Sequence, residues 1–209
     1  MANILSNLPR AVLTGFVLAA LLIVLYLIWN GVGGLSMGGP ASFWSFLLRW
    51  LHVIAGVMWI GLLWYFNFVQ MIAMPKIPAE QKPAVSKFVA PQALFWFRWS
   101  AAFTVLFGIL LALINEYFVE VITLGIVTDG GAFADFHYTL LGIGVWLGLV
   151  MAFNVWFVIW PNQKVALGIV DGTAEAKAKA ARTAMLFSRT NMVLSVPMLF
   201  AMVGATHLI

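Results

Sequence analysis

Apolar positions in this chain come in long unbroken runs, not in strict alternation. Residues 11–48, 50–75, 99–115, 136–163 and 190–209 contain no Lys, Arg, Asp or Glu. A bilayer core about 30 Å thick takes about 20 residues of helix, because each residue advances about 1.5 Å. The runs therefore predict an all-α integral membrane bundle of about five transmembrane helices. Their expected extents are residues 11–29, 43–74, 94–115, 136–160 and 185–207, in one membrane domain covering residues 1–209. The second is long enough to tilt or to project beyond the lipid. Between the first two lies Gly31-Val-Gly-Gly-Leu-Ser-Met-Gly-Gly-Pro40, whose glycines and proline read as a turn. Barrel strands are excluded, since the runs far exceed the ten or so residues such a strand needs. The first helix is read as retained: a single Arg10 precedes it and no clear cleavage site follows.

The connections set the expected orientation. Lys76, Lys82, Lys87 and Arg98 lie between helices two and three, and Lys164, Lys177, Lys179, Arg182 and Arg189 between four and five. Basic residues collect on the cytoplasmic side. The connection between three and four instead holds Glu116, Glu120, Asp129 and Asp135. This pattern places the N-terminus in the cytoplasm and the C-terminus in the periplasm, as expected of a multi-pass protein of a bacterial inner membrane. Pro75, Pro78, Pro83 and Pro91 argue against a long continuous helix in the first basic connection. Residues 173–182, rich in Ala, Glu and Lys, are expected to extend the fifth helix into water.

Composition narrows the function classes. With 64% hydrophobic and 9% charged residues, the chain cannot clothe a water-facing surface. That excludes a soluble enzyme and a nucleic-acid binder, and the net charge of +4 sits in short connections. Membrane lipid and other membrane subunits are the expected surroundings. No cysteine is present, so thiolate metal sites and covalent haem attachment within the chain are excluded. No phosphate loop, nucleophile–base pair or carboxylate dyad stands out.

The three histidines are the main chemical signal. His52, His137 and His207 belong to three different helices, and the expected topology puts all three toward the outer leaflet. Ionisable groups at membrane depth are costly and face the bundle interior or a watery cavity. At about 100° per residue, Ser45, Arg49, Gly56, Trp59, Asn67 and Gln70 fall within about 60° of His52 on helix two. This stripe is expected to face protein. His137 shares a face with Gly144 and Gly148, whose small-xxx-small spacing permits close approach of a helix or a flat cofactor. His207 lies above Arg189 on helix five, with Pro197 as an expected kink. Histidines on facing helices can hold a haem b iron, and with Asp135, Glu116 or Glu120 they can hold a transition metal. The competing reading has His52 bonded to a neighbouring helix, the other two in headgroup water, and no cofactor at all. Asn154, Asn162, Asn191 and Ser195 are expected to make interhelical hydrogen bonds. The acidic outer connection is either a solvated loop or a patch for a basic partner such as a soluble c-type cytochrome.

Three motifs resemble those of the PuuD-type urate oxidases (urate hydroxylases). Leu47-Leu-Arg-Trp-Leu-His-Val-Ile-Ala-Gly-Val-Met-Trp-Ile-Gly61 is similar to the opening membrane motif of that family. Asn154-Val-Trp-Phe-Val-Ile-Trp-Pro-Asn-Gln-Lys164 resembles its helix ending in a Pro-Asn-Gln loop. Ser188-Arg-Thr-Asn-Met-Val-Leu-Ser-Val-Pro-Met-Leu-Phe-Ala-Met202, followed by His207, is similar to a later helix. The resemblance implies a membrane domain that passes electrons to a c-type cytochrome, with His52, and with it His137 and His207, as haem or metal ligands. The family's membrane region is longer and fused to a C-terminal cytochrome c domain. The expectation here is a subunit of an electron-transfer assembly beside a separate cytochrome, not catalytic alone. The alternative is a cofactor-free structural accessory subunit of a larger respiratory or light-harvesting complex. A proton or solute pathway along the Arg49, His52, Asn67 and Gln70 stripe is a third reading, opposed by the apolar residues between its ends.

Overall fold

A computed structural model describes residues 6–30, 42–128 and 135–208. The Gly/Pro-rich turn at 31–40 and Asp129 of the acidic connection lie outside the described residues. The chain divides into two compact units, residues 1–47 and 48–209, each taken by itself below.

In the first unit, α1 spans Leu8–Asn30. It is apolar on every side, and Leu13, Phe16, Leu22 and Leu25 are all about half exposed or more. A helix with no polar face and so little covered surface suits hydrocarbon, not water. Ser42 opens the next helix, its Oγ accepting from Ser45 N–H at 3.1 Å as an N-cap does. Tyr26 stacks on Phe43 with ring centroids 6.4 Å apart.

The following helices build the second unit. Helix α2 (Phe43–Trp64) starts in the first unit and runs on through a π-helical turn, Tyr65–Gln70, into Met71–Ala73 and a 3₁₀ turn, Met74–Lys76. Helix α3 (Ala90–Ile114) is preceded by Lys82–Ala84 and a π turn, Val85–Val89. A short α4 (Phe118–Ile122) leads to α5 (Phe136–Phe153), which continues through the π turn Asn154–Ile159 into Trp160–Ala166. Helix α6 spans Ala174–His207, capped by the Thr173 hydroxyl, which accepts from Ala176 N–H at 3.2 Å. With their continuations, five helices are long and apolar enough to cross a membrane: Leu8–Ile28, Phe43–Lys76, Lys82–Ile114, Phe136–Ala166 and Ala174–His207. No strand occurs among the described residues.

Two of these bounds correct the sequence expectation. The third helix begins at Lys82, not near residue 94, and the fourth runs to Ala166, not to 160. Both extensions pass through a proline, and both manage it alike. Ala90 N–H reaches back five residues to Val85 O, immediately before Pro91. Trp160 N–H does the same to Val155 O, immediately before Pro161. A π turn shifts the bonding register just ahead of a residue that has no N–H to give. Pro83 stands in the first turn of Lys82–Ala84, where a missing donor costs little. Helix α6 likewise continues without interruption through Pro197.

The core of this unit joins Trp59, Leu63 and Phe66 of the α2 segment, Leu94, Phe97 and Ala101 of α3, Met151, Val155 and Ile159 of the α5 segment, and Ala184 and Met198 of α6. In lipid, apolar burial drives helix association weakly, so close packing and polar bonds must supply specificity. Both are present. A Cβ on Gly144 would stand 3.2 Å from Ala201 Cβ, so α5 and α6 approach closely there. One on Gly142 would collide with Val121 O, so the bare glycine lets α4 seat against α5. Asn154 Nδ2 donates to Asn191 Oδ1 at 2.8 Å, and Asn191 Nδ2 to Met151 O at 2.9 Å. Trp64 Nε1 donates to Ser195 Oγ, and Asn67 Nδ2 to Ser188 Oγ, each at 3.0 Å. Asn162, expected to bond across helices, donates to Val158 O of its own helix. At the basic end, buried Arg98 lies over Trp160, its guanidinium carbon 3.4 Å from the ring centroid.

Candidate functional site

The histidine of α2 is held by α3. His52 Nδ1 lies 2.8 Å from Thr104 O. A carbonyl oxygen only accepts, so Nδ1 carries the proton, and in the neutral ring Nε2 keeps its lone pair. Thr104 sits mid-helix, four residues before Gly108. A Cβ at Gly108 would stand 3.0 Å from His52 Cε1 and 3.1 Å from its Nδ1. A side chain there would crowd the imidazole, which the glycine lets sit close to the backbone of α3. By contrast, a Cβ at Gly56 would meet Thr104 Cγ2 at 3.8 Å, an ordinary contact. The helix-two stripe is placed as follows: Trp59 and Asn67 are buried, His52, Gly56 and Gln70 half-buried, and Arg49 exposed.

The histidine of α5 is held by α6. His137 Nδ1 donates to Ala205 O, in the last turn of that helix. The last four carbonyls of a helix have no intrahelical donor, so this bond caps α6. Asp135 caps α5 in turn, its Oδ1 accepting from His137 N–H at 2.9 Å and from Tyr138 N–H at 3.3 Å. The His137 ring also stands edge-on to Tyr138, with centroids 5.1 Å apart. His207 is exposed.

The geometry thus brings His52 to α3 and His137 to α6 in two separate contacts. Among the described residues no three His, Asp or Glu side chains gather closely enough to share one metal ion. Of the acidic residues between α3 and α5, Asp135 is occupied as a cap and Glu116 is exposed. Nearby Tyr117, outside the spans, has its phenol held above the usual value by burial, against the opposing charge of Arg49. Burial of Gly144 and Gly148 differs in kind. Gly144 marks a close approach of α6, whereas a Cβ at buried Gly148 would meet nothing within 4 Å.

Two features escape sequence reading: the Gly108 notch with its Thr104 acceptor, and a cleft at the opposite end of the bundle lined by both Gln70 and Gln163. Thr104 and Gly108 lie 52 and 56 residues beyond His52. No local pattern links them, and an isolated Gly in an apolar helix has no distinguishing mark.

Residues 131–208 match the family model described as urate oxidase N-terminal. The match includes the second and third of the three motifs above, and the motif around His52 lies outside it. This stretch, less than half of the chain, is consistent with a urate oxidase-type membrane domain. No curated protein and no solved structure matches the chain.

Proposed function

From the premise that residues 131–208 are of the urate oxidase N-terminal type, we propose that the protein is a membrane subunit of an electron-transfer assembly, with His52 as its redox-group ligand. The observation that carries this reading is the seating of His52. Its Nδ1–H is fixed on Thr104 O and its ring rests in the Gly108 notch, which leaves Nε2 with an available lone pair. Metal-bound histidines are held this way, the far nitrogen donating to a carbonyl to set tautomer and ring plane. A haem b or transition metal held at Nε2 would supply one-electron chemistry. The second ligand is then His137, whose Nδ1 is likewise bonded to a carbonyl, or a group from a partner subunit.

The basic connections support a cytoplasmic N-terminus, a periplasmic C-terminus and a site toward the periplasmic side of a bacterial inner membrane. A separate c-type cytochrome would dock there. The test is a reduced-minus-oxidised visible spectrum of the purified protein, read together with its metal content. Absorbance bands that vanish in His52→Ala support the proposal, and a colourless, metal-free preparation from the native membrane sinks it.

A second reading, a cofactor-free accessory subunit, is favoured by one specific observation. The His137 contact is fully accounted for as a cap on α6. Under that reading all three histidine substitutions leave the cofactor content of the parent complex unchanged.

A further inference from the structure

At the end of the bundle opposite His52, the helices of the second unit leave a cleft of about 190 Å³ between them. Gln70 follows His52 by eighteen residues, which puts the two roughly 27 Å apart along the helix. Phe66, Leu94, Phe97 and Met185 are among its apolar walls, and Gln70 and Gln163 are the amides that line it. None of its lining residues is charged. Ser188, also in the wall, already bonds Asn67 through its hydroxyl. Both glutamines are set by the π turns described above. Gln70 ends the turn Tyr65–Gln70, and Gln163 follows Asn154–Ile159 by four residues. The Oε1 atoms of both are buried without a hydrogen-bond partner. Native structures rarely leave such atoms unpaired; each has almost no accessible surface, so it meets an occupant of the cleft only once its amide turns.

The cleft also limits the size and charge of that occupant. A dry cavity of about 150 Å³ accepts a benzene ring, so this one takes a single six-membered ring with small substituents. An amide turned by 180° exchanges its acceptor oxygen for a donor NH₂. Two amides from different helices can therefore meet hydroxyls on one form of a ring and carbonyls on another. A lipid acyl chain would fill the space and leave both amides unpaired.

We infer that the cleft binds the single-ring head of a membrane quinone, in both its quinone and hydroquinone forms. The inference concerns binding only and stands independently of the role of His52.

The test uses the full chain in nanodiscs of saturated phosphatidylcholine, titrated calorimetrically with three ring compounds of matched shape. Tetramethyl-1,4-benzoquinone and tetramethylhydroquinone are expected to bind saturably and to compete with each other. Tetramethylbenzene, which has no oxygen, is expected to bind at least tenfold more weakly. Gln70→Leu and Gln163→Leu, checked for unchanged melting, are each expected to weaken the two oxygenated ligands about tenfold and to leave tetramethylbenzene unaffected. Equal binding of all three compounds to the wild-type protein overturns the inference, because the cleft is then merely apolar. Absence of saturable binding, or glutamine variants that bind as wild type, overturns it as well.

Discussion

His52 and His137 make the same bond, Nδ1–H to a backbone carbonyl of another helix, yet the two bonds do different work. Ala205 O belongs to the last turn of α6, where helices characteristically run short of donors, so the bond from His137 serves the backbone's own requirements. Thr104 O lies mid-helix, where the amide of Gly108 is already in place as its regular partner. The bond from His52 is therefore additional to what the backbone needs, and α3 forgoes a side chain at Gly108 to admit the ring. A cap explains itself. A seated imidazole whose Nε2 has no hydrogen bond among the described residues, and whose Nδ1 bond goes beyond the needs of its acceptor, calls for a further role.

That contrast breaks first at Gly108. Gly108→Val should expel the imidazole from its notch and destabilise the protein by about 1–3 kcal/mol, the usual range for overpacking. Denaturation in mild detergent measures it, and a variant as stable as wild type would mean that the notch is not tight. His137→Ala comes next, at about 1 kcal/mol for one hydrogen bond. Amide exchange should quicken in the final turn of α6 and nowhere near α3; uniform quickening would show that His137 is more than a cap. The smallest effect is expected at Gly148→Ala. The added methyl meets no atom within 4 Å, so stability should stay within about 0.5 kcal/mol of wild type or rise slightly. A larger loss would place an unseen neighbour on that face.

The number of spans was legible because charge is so expensive in hydrocarbon that its absence outlines each helix. Helix ends were less so. Pro91 and Pro161 read as breakers, yet each follows a π turn that absorbs the missing donor, and nothing in the residues around them announces an i to i+5 bond. The polar residues of helix two could be placed on one stripe by rotation alone. Their partners could not. His52 turns to α3 and Asn67 to α6, and the π turn at Tyr65–Gln70 shifts the register between Asn67 and the residues before it. Asn154 and Asn191 were recognisable as interhelical bonders, whereas Asn162, of the same residue type, bonds its own helix. Polarity at depth signals that a bond is made and is silent about the partner.

The account turns on whether the nitrogen left free by the Thr104 bond is a ligand. The most direct measurement compares reduced-minus-oxidised spectra of wild type, His52→Ala and His137→Ala, each purified from the native membrane at matched protein concentration. The account predicts a chromophore in wild type that is lost in His52→Ala. In His137→Ala it is shifted or lost if that ring is the second ligand, and unchanged if it serves only as the cap. An identical spectrum in wild type and His52→Ala would contradict it.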